Sequence, residues 1–596
     1  MKPSREYGES IGVPPAASQQ PALQLLKQGP MPASTTAIRF AFWTVGILLA
    51  AAQAWVYRFQ VPADSISYLD MSDGVLPGGD WHRLINGIWS PLYPFLIGLA
   101  RRIFPLSAAN EIADVHLFNI GFFIFAWACF EFFLSSAIGR DRDRERPGQM
   151  ASAKPGALDV LPYWASLSVA YSLFLWASIS GISLRTLRPD MLMSGFLYLS
   201  VGILLRMQGS PARWNRYLVL GAVLGIGFLA KAPMLPIGIV ILAASLFVVE
   251  KWRPAVKMTA AAFVLMMVIG SLYFIPLSRA RGHFTLGESS TFNYLVHVDL
   301  VRPGWYLQDP GLGRGSFAHP PQQIFSSPPA YAFALPNSGT HPLKFDPSDW
   351  IQGVRPRFVL RRQIAAVLTN LLSNPELLLA FGVATGAVLM LGYCYRRGND
   401  ISMFRGTWPI CVIGIAGCVM YALVYVESRY VAAFLALFWC GILFSLRVPQ
   451  TVSPRVVTVI TLLVIAAFLL PIGPLTYLRH RQGMGKINND ALAATELERL
   501  GVRAGDQVAC ICPIRSGHDL GIERIARVTV AAEVDLDHAA EFWSAPITTQ
   551  HDLLQIFAAR GVKAVITASP KLNASNQSEW RRLGLTQYWV WRPGSQ

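Results

Sequence analysis

Residues 38–57 read IRFAFWTVGILLAAAQAWVY and form the first of many apolar runs in the chain. A helix of about twenty apolar residues is long enough to cross a hydrocarbon core of about 30 Å. Of the 596 residues, 53% are hydrophobic and only 14% are charged, and the mean hydropathy is +0.39. Charged residues make up about a quarter of an ordinary soluble chain. The sequence therefore predicts a polytopic α-helical membrane protein.

The positive charges occupy short loops between the apolar runs. The net charge is +16, but cytoplasmic loops of membrane proteins carry such an excess of Lys and Arg, so the charge does not indicate a nucleic-acid partner. We expect a multi-pass protein of the inner (plasma) membrane. Five basic segments are placed in the cytoplasm: Arg140–Arg146, Arg206–Arg216, Lys251–Lys257, Arg396–Arg405 and Arg447–Arg455.

This placement predicts about eleven spans, with the C-terminal part on the far, periplasmic side. Residues 1–37 are rich in Pro, Ala, Ser and Gln and lack an apolar signal segment, so they are interpreted as a disordered cytoplasmic tail. The short segment Pro91–Phe104 carries two arginines and is interpreted as an interfacial helix. The predicted spans are 38–57, 116–138, 162–179, 191–205, 217–230, 234–249, 259–277, 375–393, 407–425, 431–446 and 456–472.

The chain accordingly divides into four parts after the tail. A transmembrane module at 38–278, with a far-side loop at 58–115, is followed by a long far-side loop at 279–362. A second transmembrane module covers 363–475. Residues 476–596 alternate helix and strand patterns, which predicts a small periplasmic α/β domain. That domain contains no dinucleotide, P-loop, catalytic-triad or zinc motif.

The ionisable groups that interrupt apolar sequence at span ends all fall on the predicted far side. Asp64 lies in VPADSISYL (residues 61–69), shortly after the first run. Arg188-Pro189-Asp190, Lys231 and Glu427-Ser428-Arg429 interrupt apolar sequence on the same side. Such residues are costly at membrane depth and usually functional or paired. Carboxylates beside a lysine and arginines predict a pocket for a phosphate-bearing substrate.

Each of these residues also has a structural alternative. Asp64 could cap the helix that follows it, and Lys231 could extend to the lipid headgroups. Arg188 with Asp190, and Glu427 with Arg429, could be ion pairs that close helix ends. A metal site is not assigned from the sequence, although a divalent cation is left open.

The order of these motifs resembles the GT-C superfamily of membrane glycosyltransferases that use lipid-phosphate sugars. Within it the similarity is greatest to the protein O-mannosyltransferase and aminoarabinose (lipid A) transferase group. The resemblance covers roughly Ile38–Leu446. It rests on five motifs: the Asp64 loop with Tyr68-Leu69, residues 89–94 (WSPLYP), Arg188-Pro189-Asp190, residues 229–233 (LAKAP) and residues 427–430 (ESRY).

The resemblance implies inverting sugar transfer, at the periplasmic face, from a polyprenyl-phosphate-linked donor to a periplasmic glycan, lipid or protein. Asp64 would be the general base that takes the proton of the acceptor hydroxyl. The donor phosphate would be bound by Lys231, Arg429 and Arg188. The substrate-orienting residues would be Asp190, Glu427, Tyr68, Trp89 and Tyr93. Trp89 and Tyr93 also suit a second role as interfacial anchors.

The long loop at 279–362 predicts a lid or an acceptor-binding segment, because it is too long for a simple connection. Four arginines near its end, Arg355, Arg357, Arg361 and Arg362, would bind lipid phosphate or lie among headgroups. The alternative function is a lipid or glycan transporter, or flippase, without transferase chemistry. A transporter would place polar residues at the midplane of its spans, whereas here they lie at span ends.

Overall fold

The structure is a computed structural model that describes residues 33–105, 107–144, 158–301, 321–333, 339–351, 354–396, 406–449, 452–483, 486–511, 521–534, 536–568 and 579–594. The predicted disordered tail lies outside these residues, except that 33–37 begin the first helix. Residues 302–320, 334–338 and 352–353 of the loop predicted to be a lid or acceptor-binding segment also lie outside them.

Helices dominate the described part of the chain, as the apolar runs predict. The twenty-one α-helices are α1 Ala33–Val56, α2 Ala63–Ser72, α3 Leu92–Ile103, α4 Glu111–Arg144, α5 Tyr163–Leu175, α6 Asp190–Met207, α7 Trp214–Ala230, α8 Met234–Val248, α9 Trp252–Arg281, α10 Ser289–His297, α11 Pro342–Phe345, α12 Leu360–Leu372, α13 Pro375–Arg396, α14 Trp408–Ala422, α15 Ser428–Ser445, α16 Pro454–Leu469, α17 Ile472–Arg481, α18 Asn489–Arg499, α19 Gly521–Ala526, α20 Leu536–Ser544 and α21 Ile547–Ala559. A π-helical stretch, Trp176–Ile182, extends α5.

Seven helical segments in the described ranges are long and apolar enough to cross a membrane. Counting α12 and the apolar part of α13 as one span, bent by 102°, gives an eighth, and α7, α8 and α14 are shorter apolar helices. Each of the eleven predicted spans overlaps one of these helices. The helical membrane fold class is therefore confirmed, while the number of helices that cross a membrane stays a prediction.

Aromatic side chains and glycines fix the helix contacts. Trp127, Phe130, Phe174 and Tyr198 are fully buried in one apolar cluster that joins α4, α5 and α6. Glycine allows α7 and α9 to approach closely: a Cβ added at Gly221 would lie 2.4 Å from the carbonyl oxygen of Ala262. Small residues at helix contacts are typical of membrane bundles, where apolar lipid gives no hydrophobic driving force between helices.

Nine strands form two sheets in the part of the chain that the structure describes. The strands are β1 Leu158–Val160, β2 Pro321–Ser326, β3 Pro329–Phe333, β4 Arg447–Pro449, β5 Gln507–Ile511, β6 Thr529–Val534, β7 Ala564–Ala568, β8 Arg581–Arg582 and β9 Tyr588–Trp591. β1 pairs with β4 in a two-stranded sheet, and the other seven form a sheet in the order β2-β3-β6-β5-β7-β9-β8. β5 runs parallel to β6 and β7. The predicted α/β domain at the C-terminus is thus confirmed.

The long loop is built into this domain. β3 pairs antiparallel with β6, with Tyr331 opposite Glu533 and Ala332 opposite Ala532. The loop therefore supplies two strands, β2 and β3, to the edge of the C-terminal sheet. Any motion of the loop as a lid is consequently coupled to the domain.

The close contact of α7 with α9 gives a test of the packing. Replacing Gly221→Ala forces a Cβ against backbone atoms that cannot rotate away, and overpacking of this kind typically costs about 1–3 kcal/mol. We expect a lower thermal unfolding midpoint in detergent. The control is Gly121→Ala in α4, where an added Cβ meets no heavy atom within 4 Å. Equal midpoints for the two variants would contradict the packing.

Candidate functional site

Helix ends bring the site together, and prolines set those ends. Pro62 is the N-cap of α2 and Pro189 is the N-cap of α6. Proline at such a position disfavours a continuous helix and is compatible with a helix start. Asp64 and Asp190 therefore lie in the first turns of α2 and α6. Lys231 is the C-cap residue of α7, with an extended backbone.

Asp64 is held by an arginine and remains accessible. Its Oδ2 lies 3.1 Å from Nη2 of Arg188, its one ion-pair partner within the described ranges. The Asp64 side chain is 35% exposed and the Arg188 side chain 20% exposed. No side chain caps α2, so the structural alternative of a capping role for Asp64 is not observed. The carboxylate can meet a substrate from the solvent side.

Asp190 pairs with two cations from other helices. The Asp190 side chain is 3% exposed and forms an ion pair with Lys231. Its Oδ2 also lies 3.4 Å from Nη1 of Arg429. Lys231 therefore points into the protein rather than toward headgroups. A buried carboxylate between two cations fixes where both positive charges lie.

Of the two local ion pairs that the sequence suggested, the structure contains one. Glu427 does pair with Arg429, as neighbours at the start of α15. Arg188, in contrast, pairs with Asp64 and not with the nearby Asp190. The Asp64–Arg188 pair joins α2 to the segment before α6.

The positive groups of Lys231 and Arg429 both lie against the aromatic ring of Tyr430. Nζ of Lys231 lies 4.3 Å and Cζ of Arg429 lies 4.4 Å from the ring centroid. The Tyr430 hydroxyl accepts a hydrogen bond of 2.7 Å from Arg429. Tyr421 stacks on the same ring, with centroids 5.1 Å apart. Cation–π contacts of this kind are worth about 2 kcal/mol or more when desolvated, so the aromatic pair helps to fix Lys231 and Arg429.

The three predicted aromatic residues are in contact but differ in position. The ring of Tyr68 lies 5.2 Å from Trp89 and 5.3 Å from Tyr93. Tyr93 is fully buried and donates its hydroxyl to Asn119 at 2.9 Å. Tyr93 therefore packs against the ring of Tyr68 from the buried side. Trp89 is half-buried, and its buried indole N–H has no acceptor in the described part of the chain.

Two cavities meet at Arg429. The larger, about 1110 Å³, lies between the segment before α6, α12 and the turn before α15. The smaller is about 370 Å³. The charged residues that line the larger are Arg185, Arg188, Arg361, Arg362, Arg429 and Glu427. The smaller is lined by Tyr68, Trp89, Lys231, Tyr421, Tyr425, Arg429 and Tyr430 with several apolar residues.

Five arginines and one glutamate line the larger cavity. Three of these arginines also pair with carboxylates: Arg188 with Asp64, Arg362 with Asp299, and Arg429 with Asp190 and Glu427. Arg361 and Arg362 belong to the basic cluster seen in the sequence, and the structure places them on the cavity wall. Arg185 was missed because it carries no motif beyond its place four residues before Pro189. His297 and Tyr425, whose rings stack at 3.8 Å, were missed as well. In the described ranges, no group of three or more His, Cys, Asp or Glu is arranged to hold a metal ion.

Comparisons with known proteins rest on structure alone. No protein-family model and no curated protein sequence matches the chain. Two similar solved structures are of ArnT from Cupriavidus metallidurans, in the apo state and bound to undecaprenyl phosphate. Each has a TM-score of 0.47 and 12% identity; the first match covers 94% of this chain and 98% of that chain, and the second 93% and 97%.

A third similar structure is the oligosaccharyltransferase of Archaeoglobus fulgidus in complex with zinc and sulfate. Its TM-score is 0.43 and its identity 10%, and the match covers 88% of this chain and 68% of that chain. These are similarities of structure at low identity. The roles proposed below rest on contacts within this chain.

A buried acidic cluster clamps the turn that carries Trp89. The Gly87 N–H donates to Asp346 at 2.6 Å, and Arg281 donates to the same Asp346 oxygen at 2.6 Å. Arg281 also pairs with Asp349. Burial and the neighbouring Asp346 charge raise the pKa of Asp349 from 3.8 to about 6, and Glu288 adds to this effect.

This pKa predicts how stability depends on pH. The folded protein keeps the Asp349 proton up to about pH 6, whereas the unfolded chain releases it near its ordinary pKa. The stabilisation from this group is therefore fully present below the ordinary pKa and is lost as the pH rises through 6. Asp349→Asn should consequently gain in unfolding midpoint relative to wild type between about pH 5 and about pH 7.5.

The unfolding midpoints of wild type and Asp349→Asn are measured by thermal denaturation between about pH 5 and about pH 7.5. The control is Asp552→Asn, because Asp552 is exposed on α21 and has no ion-pair partner within the described ranges. A difference between wild type and Asp349→Asn that stays constant with pH would rule out the raised pKa.

Proposed function

We propose that the chain is an inverting glycosyltransferase that moves a sugar from a polyprenyl-phosphate-linked donor to an acceptor at the membrane surface. The observation that carries the proposal is the joint arrangement at the helix ends. A partly exposed carboxylate, Asp64, is tied through Arg188 to the wall of an arginine-lined cavity. Arg429 on the same wall also lines the second cavity, together with Lys231.

Asp64 is the proposed general base. Its carboxylate has one ion-pair partner within the described ranges and is 35% exposed, so a hydroxyl can reach it. Arg188 fixes the direction of the carboxylate. A base at hydrogen-bond distance from the acceptor hydroxyl takes the proton as the oxygen attacks.

Lys231 and Arg429 are the proposed site for the donor phosphate. Asp190 keeps the two cations close together, and the ring of Tyr430 lies under both. Arg429 lies in the first turn of α15, where the helix dipole adds positive potential. A phosphate that leaves as an anion is stabilised by such fixed positive charge without an acid.

The reaction balances in a single displacement. The acceptor oxygen forms a bond to the anomeric carbon, and the bond from that carbon to the phosphate oxygen breaks. The electron pair of the broken bond remains on the lipid phosphate, and the acceptor proton goes to Asp64. One displacement inverts the anomeric configuration.

Two unpaired donors favour a polar ligand here. Nε of Arg188 and Nε1 of Trp89 are buried and have no hydrogen-bond acceptor in the part of the chain described. Leaving a buried donor unpaired costs about 1–3 kcal/mol. Oxygen atoms of a sugar or a phosphate are suitable acceptors. Glu427 and Tyr68 would orient the same ligand from the two cavities.

The proposed setting is the periplasmic face of the inner membrane, with a periplasmic glycan, lipid or protein as acceptor. It is supported by the charge pattern of the loops and by the position of all six ionisable site residues at one end of the helices. The same placement is less suited to a transporter, because the ionic contacts lie at helix ends and not along helix interiors.

Loss of the base gives the main test. Asp64→Asn keeps the size of the side chain but cannot take a proton, so sugar transfer should fall by about 10²–10⁴-fold. The measurement is movement of label from a pool of radiolabelled polyprenyl-phosphate sugars to an acceptor in membranes. Asp80→Asn, in the same loop region and 64% exposed, is the matched control.

Equal transfer by Asp64→Asn and wild type would remove Asp64 from the chemistry. If wild type moves intact lipid-linked sugar between leaflets and transfers no label, the protein is a transporter.

The phosphate site gives a second test. Lys231→Met removes one of two cations at the leaving group, and loss of one such group typically lowers kcat by about 10²–10³-fold. Lys251→Met is the control, because Lys251 is exposed at the start of α9, the helix end opposite the acidic cluster at Arg281. Both kcat and donor KM should be measured. A variant that raises KM with unchanged kcat would assign Lys231 to ground-state binding alone.

A further inference from the structure

A buried ion cluster joins the C-terminal domain to the helix that carries Asp64. Its centre is Arg524, on α19 of the domain, and its side chain is 2% exposed. We call it the Arg524 cluster, and its members are Arg101, Arg524 and Arg527 with Asp70, Asp73 and Glu111. The six groups contribute three charges of each sign.

Arg524 contacts all three carboxylates. Nη1 lies 2.6 Å from both Asp70 and Asp73, and Nη2 lies 2.8 Å from the other Asp73 oxygen. Glu111 accepts from Nε at 3.1 Å and from Nη2 at 2.7 Å. The planar guanidinium can make such bidentate contacts, whereas an ammonium group cannot. Asp70 and Asp73 lie in the predicted far-side loop 58–115 and Glu111 begins α4, whereas Arg524 belongs to the C-terminal domain.

Asp70 depends most on Arg524, its one ion-pair partner within the described ranges, whereas Asp73 and Glu111 also pair with Arg101 and Arg527. Asp70 and Glu111 are 3% and 1% exposed. Burial raises the pKa of Asp73, but the charge and hydrogen bonds of Arg524, together with the charges of Arg101 and Arg527, hold the pKa well below its usual value. Removing one partner from a buried ion cluster leaves charge unpaired, which strongly destabilises its geometry.

The cluster fixes the far end of α2. Asp70 lies in the last turn of this helix and Asp64 in its first, six residues or roughly 9 Å apart along the axis. The long loop clamps the same helix: the Thr340 N–H and hydroxyl donate to Asp70 at 2.7 and 2.8 Å. The Ser67 hydroxyl donates to the carbonyl of Lys344 at 2.8 Å.

Gly339 allows this clamp to close. Its φ of +72° is a left-handed conformation, and an added Cβ would lie 2.6 Å from Oδ2 of Asp70. α2 is therefore gripped by the loop and by the domain, which are themselves joined through β3 and β6.

We propose that Arg524 is a positioning residue for Asp64: the C-terminal domain sets the orientation of the base through Asp70 and the body of α2. The proposal rests on the proposed function, in which Asp64 takes the acceptor proton. A short rigid helix transmits a displacement of Asp70 to Asp64. Misplacing a catalytic group by about 1 Å lowers the rate by about 10²-fold.

The test compares Arg524→Gln with Leu553→Ala. Leu553 is fully buried in the core of the domain and is not a member of the Arg524 cluster, so its replacement loosens the domain without removing an ion-pair partner of Asp70. The measurements are kcat, donor KM, and hydrogen exchange of the amides of residues 63–72. Arg524→Gln should lower kcat by roughly 10–100-fold, leave donor KM within about threefold, and speed exchange in α2.

The control should leave α2 exchange and kcat close to wild type while exchange speeds up near α21. Arg524→Lys should give an intermediate kcat, because it keeps the charge without the bidentate geometry. If Arg524→Gln does not fold, Arg524→Lys takes its place in the comparison.

Unchanged α2 exchange in Arg524→Gln, or a kcat no lower than that of the control, would overturn the proposal. If wild type transfers no sugar, the proposed function fails and the positioning role fails with it. If wild type transfers sugar and only the positioning proposal is wrong, Asp64→Asn still lowers transfer by about 10²–10⁴-fold, while Arg524→Gln has a kcat no lower than that of Leu553→Ala.

Discussion

The pairing of buried charge is the constraint on which this structure depends. Asp190 is almost completely buried, and its carboxylate requires the two cations that it holds. Those cations come from the end of α7 and the start of α15, so the pairing draws three helix ends to one point. Because each cation keeps hydrogen-bonding capacity beyond Asp190, the same arrangement that stabilises the bundle also presents positive charge to the cavities.

A second group of buried charges extends the same principle to the C-terminal domain. The domain does not only cover the helices: it places a guanidinium among the carboxylates of Asp70, Asp73 and Glu111. Unpaired, these carboxylates would repel one another, so the domain and α2 hold their relative position together. The orientation of Asp64 is consequently a property of the whole chain and not of the loop in which it occurs.

The sequence predicted what local pattern can encode. Apolar runs of about twenty residues indicate the helices, and the polar groups at their ends indicate where the site lies; Asp64, Asp190 and Lys231 could be found in this way. The ion-pair partners of these residues were harder to predict, because an ion pair depends on distance in space and not on separation along the chain. The structural alternative paired Arg188 with Asp190, two residues away, but Arg188 pairs with Asp64. Arg524 gave no signal at all, since Glu111 lies 413 residues earlier in the chain.

The mixed origin of the seven-stranded sheet has a consequence for how the protein is made. β6 has β5 on one side and β3 on the other, and β3 precedes it by about two hundred residues. During synthesis the β2–β3 hairpin is complete long before β6 has been made. Until β6 pairs with it, the backbone N–H and C=O groups on the free edge of β3 are unpaired and can pair with a wrong strand. A fragment of residues 476–596 would lack β2 and β3, so β6 would be an unpaired edge strand of its sheet. The natural unit of folding is therefore the loop and tail together, although the membrane helices separate them in sequence.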